Sequence, residues 1–274
     1  MPADPILNRI VSALAEVPGV AAISLGGSRA RGTATEASDY DIGLYFSAAH
    51  PLDTVQLLEV VRTLVDKPDA AEVTPIGGWG PWIVGGAWLI VDGCKVDLLY
   101  RNLDDVADVI EACRHGEIAM HYQPGHPHGF CSAIWMGEVA LGRSLHDTSG
   151  KLAALRAKTV PYPAPLREAL IKRFQWEILF AIENAEIAAA RGEQTHIAGC
   201  AYRALACVAQ TLFAQNERYL INEKGALQEA AGLSRTLPDL NERVAGIWRA
   251  IGETEFDAAL SLLRDLDQEL QALA

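Results

Sequence analysis

The chain has 274 residues, 50% hydrophobic, 21% charged and 7% aromatic, with 23 Lys+Arg against 35 Asp+Glu and a formal charge of -12. This profile excludes disorder, a fibrous repeat and a disulfide-dense scaffold, and its length allows one large domain or two modest ones. The acidity disfavours nonspecific nucleic-acid binding, whose affinity comes from Lys and Arg on phosphates.

In chain order, the spacing of Ile6, Leu7, Ile10, Val11 and Leu14 predicts a helix over Pro5 to Val17. Val20 to Leu25 reads as a buried strand ending at Gly26-Gly27, and Tyr40 to Phe46 as a second strand after a polar turn. Leu52 to Val65 is helical by period, with Asp53 as its cap. Ala87 to Val91 and Lys95 to Tyr100 flank Asp92-Gly93, a strong hairpin signal. Near Gly150, and then at Pro161-Tyr162-Pro163-Ala164-Pro165, the pattern breaks, since that proline stretch does not fit inside a helix. Long helices follow over Leu166 to Ala190, His196 to Gln215 and Phe256 to Leu273.

The two halves differ in charge. Residues 1–150 hold 9 Lys+Arg against 19 Asp+Glu, and residues 151–274 hold 14 against 16. The expected class is α+β: a mixed-sheet domain over 1–150, then an all-α helical-bundle domain over 151–274. Five widely spaced cysteines without a Cys-x-x-Cys pair argue against a disulfide framework or a zinc knot. Residues 1–5 do not read as a secretory leader, and no apolar run reads as a bilayer span. The expectation is a cytoplasmic protein with no membrane partner.

The chemistry concentrates in Gly26-Gly27-Ser28-Arg29-Ala30-Arg31-Gly32 and Ser38-Asp39-Tyr40-Asp41. A strand running into two glycines and a serine turns backbone N–H groups toward one spot, an arrangement that binds phosphate. Asp39 and Asp41, two apart on a strand, project to one face, and two adjacent carboxylates call for a hard cation such as Mg²⁺ or Mn²⁺. Asp97 is a lone charge in an apolar strand and would complete a three-carboxylate set. A phosphate cradle beside three carboxylates is what metal-assisted nucleotidyl transfer needs.

Gly27-Ser28, ten intervening residues, Asp39-x-Asp41 and the later Asp97 resemble the signature of the DNA polymerase β-type nucleotidyltransferase superfamily. The Gly-Ser-x-Ala-Arg-Gly and Ser-Asp-x-Asp forms are most similar to its small bacterial members, including aminoglycoside and lincosamide nucleotidyltransferases and nucleotidyltransferase-type toxins. The resemblance covers residues 20–100. It implies Mg²⁺ on Asp39, Asp41 and Asp97, and transfer of NMP from an NTP to a small-molecule hydroxyl acceptor with release of pyrophosphate. It further implies Gly27 and Ser28 on the β/γ-phosphates and Asp97 as a proton acceptor; Arg29 and Arg31, next to the cradle, are both candidate phosphate contacts. A helical C-terminal domain that helps form the acceptor site also follows from it. Two other readings stay open: a toxin-like or RNA-modifying enzyme acting on tRNA or protein, and a catalytically silent nucleotide-binding module.

Several features carry weaker signals. Glu138, an acid in the apolar run Ile134 to Leu141, is a candidate second base. Tyr219 and Lys224, in a polar segment where Gly225 reads as a helix end, are candidate nucleotide contacts by the same resemblance. His115, His121, His126 and His128 read as a structural loop more readily than a metal site. Trp79, Trp82 and Trp88 surround glycine pairs and read either as a cleft wall or as ordinary sheet packing.

Overall fold

The computed structural model describes residues 4–35 and 37–273; the leader reading of residues 1–5 falls in part outside them. The first elements are α1 (Pro5–Leu14), β1 (Ala22–Leu25), α2 (Gly27–Arg31), β2 (Tyr40–Phe46), α3 (Thr54–Leu64), β3 (Gly86–Val91), β4 (Cys94–Asn102) and α4 (Leu103–Arg114). Then come β5 (Met120–His121), β6 (Phe130–Cys131), α5 (Ala133–Leu141), β7 (Arg143–His146) and α6 (Lys151–Ala157). Five helices close the chain: α7 (Ala164–Ala189), α8 (Gln194–Gln215), α9 (Ala226–Ala231), α10 (Leu240–Gly252) and α11 (Phe256–Ala272).

These elements form two compact units, Met1–Glu111 with Trp135–Pro161, and Ala112–Ile134 with Tyr162–Ala274. The division differs from a single cut at residue 150: Ala112–Ile134 packs with the helical unit, while β7 returns to the sheet. The class is α+β, as the sequence pattern predicts.

In the first unit the sheet order is β3-β4-β2-β1-β7, with β2 and β4 parallel and the other pairs antiparallel. Alternation gives each strand one apolar face. Ile23, Leu25, Ile42, Leu44, Val96 and Leu98 share that face and form one core with Leu7, Ile10 and Leu14 of α1 and Leu57, Val61 and Leu64 of α3. Each such side chain contributes about 1.5–3 kcal/mol by leaving water. Caps fix the helices: Asp4 accepts from the Leu7 N–H, and Asp53 from the N–H groups of Val55 and Gln56. The Asp92-Gly93 turn joins β3 to β4 with both residues at positive φ, as a type I′ hairpin requires. The opposite sheet face carries Ser24, Asp41, Gly43, Asp97 and Arg101, and this face holds the site.

The helical unit centres on the long helices α7 and α8, which pack along each other. Pro165 lies in the first turn of α7 rather than before the helix, a position where its missing N–H costs nothing. Contrary to the sequence reading, α8 is long and apolar enough to cross a membrane by length and composition; 78% of its apolar window is buried inside the protein, as in a core helix. Gly225 also reverses its expected role: it precedes α9 instead of ending a helix. The five cysteines are all free.

Candidate active site

Backbone register builds the site. Gly26, the N-cap of α2, donates its N–H to the Asp41 carbonyl at 2.7 Å, and Asp41 is the register partner of Asp97 across the parallel β2–β4 ladder. Register partners project to the same face, so the two carboxylates stand side by side. Gly27 follows with φ 59°, and a Cβ there would collide with Asp41 Oδ2. The second glycine of the motif is therefore what lets the Gly27-Ser28 backbone press against this carboxylate.

Asp39 is positioned through its neighbours. The Arg29 guanidinium donates to the Ser38 carbonyl at 2.7 and 3.1 Å and to the Asp39 carbonyl at 3.2 Å, and sits 3.8 Å over the Tyr40 ring. Tyr40 in turn donates to Asp4 at 2.9 Å. Arg29 is thus engaged in holding the turn that leads into β2. Arg31, the other arginine of the motif, is near enough to favour the ionised form of Asp41.

The electrostatics are unbalanced. Burial, then the charges of Asp97, Asp39 and Glu138, push the Asp41 carboxyl up from 3.8 to about 6, against the smaller opposing effect of Arg31. Glu138 has a fixed partner that the sequence reading missed. Its two oxygens accept from Arg101 Nε at 2.8 Å and Nη2 at 2.7 Å, and the Arg101 side chain is only 3% exposed. Both oxygens of Glu138, the candidate second base, are thus committed to a buried guanidinium in a bidentate pair. Arg101 follows Asp97 and Leu99 by strand alternation, which was the available signal. Its partner lies 37 residues away, which no local pattern reveals.

In the helical unit, Tyr219 packs its ring against Tyr162 with centroids 4.6 Å apart. Lys224 is exposed, and its N–H donates to Asn222 Oδ1 at 2.8 Å. His126 contacts Glu223 at 3.0 Å, and the His128 N–H donates to the same carboxylate at 3.3 Å. The His128 ring meets Cys207 at 3.4 Å and Glu177 at 3.7 Å, and the donor atoms of these three residues lie within 4.8 Å of one another. Such spacing suits a metal ion, but Arg203 contacts Glu177 directly and Arg173 lies 3.8 Å from it, supplying positive charge already. Among the described residues, the three aspartates are not drawn as close as this cluster.

Comparison with known proteins agrees with the sheet unit. The family model of a nucleotidyltransferase domain matches residues 7–78, which include Gly27, Ser28, Asp39 and Asp41 and stop short of Asp97. A second model, a domain of unknown function (DUF4037), matches residues 135–224. A nucleotidyltransferase-like protein from Exiguobacterium sibiricum 255-15 is similar in structure, with a TM-score of 0.43 and 11% identity, over 95% of this chain and 72% of that one. No curated protein matches the chain. The segment that carries the glycine turn and the first two aspartates is thus similar to the nucleotidyltransferase domain family.

Proposed function

We propose that this protein transfers a nucleoside monophosphate from an NTP to a hydroxyl group of an acceptor, releasing pyrophosphate. The observation that carries the reading is the register pairing of Asp41 with Asp97 next to the Gly26-Gly27 turn, with the Asp41 carboxyl raised to about 6 by burial and by surrounding acids. An all-oxygen donor set with surplus negative charge fits a hard divalent cation. Asp39, Asp41 and Asp97 would hold Mg²⁺ or Mn²⁺, which when bound neutralises phosphate charge and acidifies the attacking hydroxyl.

The residues of the chain supply the rest. The Gly27 and Ser28 N–H groups and the Ser28 hydroxyl bind the β/γ-phosphates, and Arg31 adds positive charge beside them. Asp97 accepts the hydroxyl proton as the acceptor oxygen bonds to the α-phosphorus; the bond from that phosphorus to the β-phosphate oxygen breaks, and pyrophosphate carries away the charge. Arg101 fixes Glu138, whose charge keeps Asp41 raised.

The test is incubation with each α-labelled NTP, Mg²⁺ and a panel of aminoglycosides, lincosamides, tRNA and proteins, alongside an Asp41→Asn control. Label moving to an acceptor in the wild type alone supports the reading, and the labelled member names the acceptor class. Nucleotide binding with no transfer to any member favours a silent nucleotide-binding module instead.

A further inference from the structure

Helix α7 is apolar on two sides. Leu166, Leu170, Phe174 and Ile178 are buried on the side that packs within the helical unit. Away from them, Trp176 is 63% exposed, Phe180 48% and Ile187 65%. A surface helix ordinarily presents polar residues there. At about 100° per residue, Ala169, Lys172, Trp176, Phe180, Glu183 and Ile187 fall within an arc of about 80° and form one stripe along the helix. The Trp176 and Phe180 rings stack on each other, with centroids 5.1 Å apart and planes 15° from parallel.

The order of residues along the stripe identifies what covers it. Ala169 and Ile187 lie symmetrically about position 178, and so do Trp176 and Phe180. Lys172 and Glu183 are symmetric about the point midway between 177 and 178. A second α7 laid antiparallel across the first, with a two-fold axis at this point, would therefore match every member of the stripe in a single register. Each Trp176 would meet a Phe180, each Ile187 the small Ala169, and each Lys172 a Glu183. Such reciprocity is what an isologous interface requires.

The charges support this register. Among the described residues, neither Lys172 nor Glu183 makes an ion pair within the chain, although Glu168 stands one turn before Lys172. The flanking charges are already engaged: Arg173 lies 3.8 Å from Glu177, and Glu186 is 2.7 Å from Arg264. Arg264 also feels the charge of Glu183, but its Nε and Nη2 both donate to Glu186. A lipid surface would match the stripe poorly, because Glu183 sits between Phe180 and Ile187. From Ala169 to Ile187 the stripe runs about 27 Å, the width of a patch of roughly 800 Å² per partner, as in a specific interface.

We propose that the outer stripe of α7 is a self-association surface, through which two copies of this chain pair antiparallel about position 178. Trp176 and Phe180 form its centre, and the Lys172–Glu183 pairs on either side fix its register. The pairing uses no residue assigned to nucleotidyl transfer and stands independently of that reading.

The test is sedimentation of the full chain over roughly 1–100 µM, a range that reports any dimer of micromolar affinity. It compares the wild type with Trp176→Ala, Phe180→Ala, Lys172→Glu, Glu183→Lys and the double variant Lys172→Glu/Glu183→Lys, each checked for an unchanged far-UV circular dichroism spectrum. The wild type should shift from monomer to dimer as concentration rises. Trp176→Ala should raise the dimer Kd roughly 30-fold or more, because a buried aromatic anchor is lost from both copies. Each single charge reversal should raise it at least ~10-fold by setting like charges opposite each other twice, and the double variant should return to within ~3-fold of the wild type. A wild type that stays monomeric throughout overturns the proposal. So does a dimer that survives both Trp176→Ala and Phe180→Ala, or a double variant that dimerises no better than the single reversals.

Discussion

Asp41 and Glu177 are both carboxylates taken largely out of water, and the chain treats them in opposite ways. Burial pushes each of them up. Around Asp41 the neighbouring charges are Asp97, Asp39 and Glu138, which add to the rise and leave it at about 6. Around Glu177, a hydrogen bond from His128 and the Arg203 guanidinium outweigh burial and hold the carboxyl below its ordinary 4.5. A buried acid whose charge is answered locally anchors the fold, as Glu177 does where α7, α8 and the His128 loop meet. A buried acid set among its own kind is costly unless a cation arrives. The difference separates an anchor from a binding site without reference to any relative.

The largest effect expected from this contrast is on chemistry. Asp41→Asn or Asp97→Asn should lower nucleotidyl transfer at least ~1,000-fold, read as labelled pyrophosphate released, while the protein stays folded. Transfer that survives either change would remove the aspartates from the reaction. Next, Glu177→Ala should cost about 1–3 kcal/mol in urea unfolding, because the buried His128 loses its acceptor while the half-exposed Arg203 turns to water. A cost under ~1 kcal/mol would mean that Glu177 is not an anchor, and the contrast with Asp41 would lapse. Glu138→Gln should cost about 2–3 kcal/mol by leaving Arg101 buried without its counter-charge.

The smallest effect has the opposite sign. With its folded-state carboxyl at about 6 against an ordinary 3.8, Asp41 subtracts from stability as pH rises through that window, and the full penalty applies above it. Asp41→Asn should therefore stabilise the metal-free protein by about 1–2 kcal/mol at pH 8, seen as a higher Tm, with the gain vanishing near pH 4. Glu177 slopes the other way: its contribution is present above its ordinary 4.5 and is lost as pH falls below that value. Equal pH slopes for the two variants would contradict the assignment.

Much of the sheet unit was legible in the sequence because its signals are local. Tyr40–Phe46 alternates, Asp92-Gly93 demands a tight turn, and Asp53 precedes a periodic run; all three appear where the pattern puts them. Leu103, Val106, Ile110 and Cys113 recur at helical spacing, so α4 is legible in the pattern as well. What stayed hidden was pairing across distance. Nothing near Arg101 points to Glu138, and nothing near His128 points to Glu177 or Cys207, because long-range packing brings them together. Gly86 is another case: β4 passes so close that a Cβ would overlap the Leu98 carbonyl oxygen, which the local sequence does not reveal.

The parallel ladder between β2 and β4 has one further consequence. Ile42 and Leu98 are partners one residue along from Asp41 and Asp97, facing the helices. They act as locating pins for the carboxylate pair: sliding either strand by one residue would turn a carboxylate inward and an aliphatic chain outward. Shaving a methyl group from one of those pins would loosen the alignment of the acids from behind, so lesions that abolish turnover are to be sought on the greasy side of the sheet as well as the wet one.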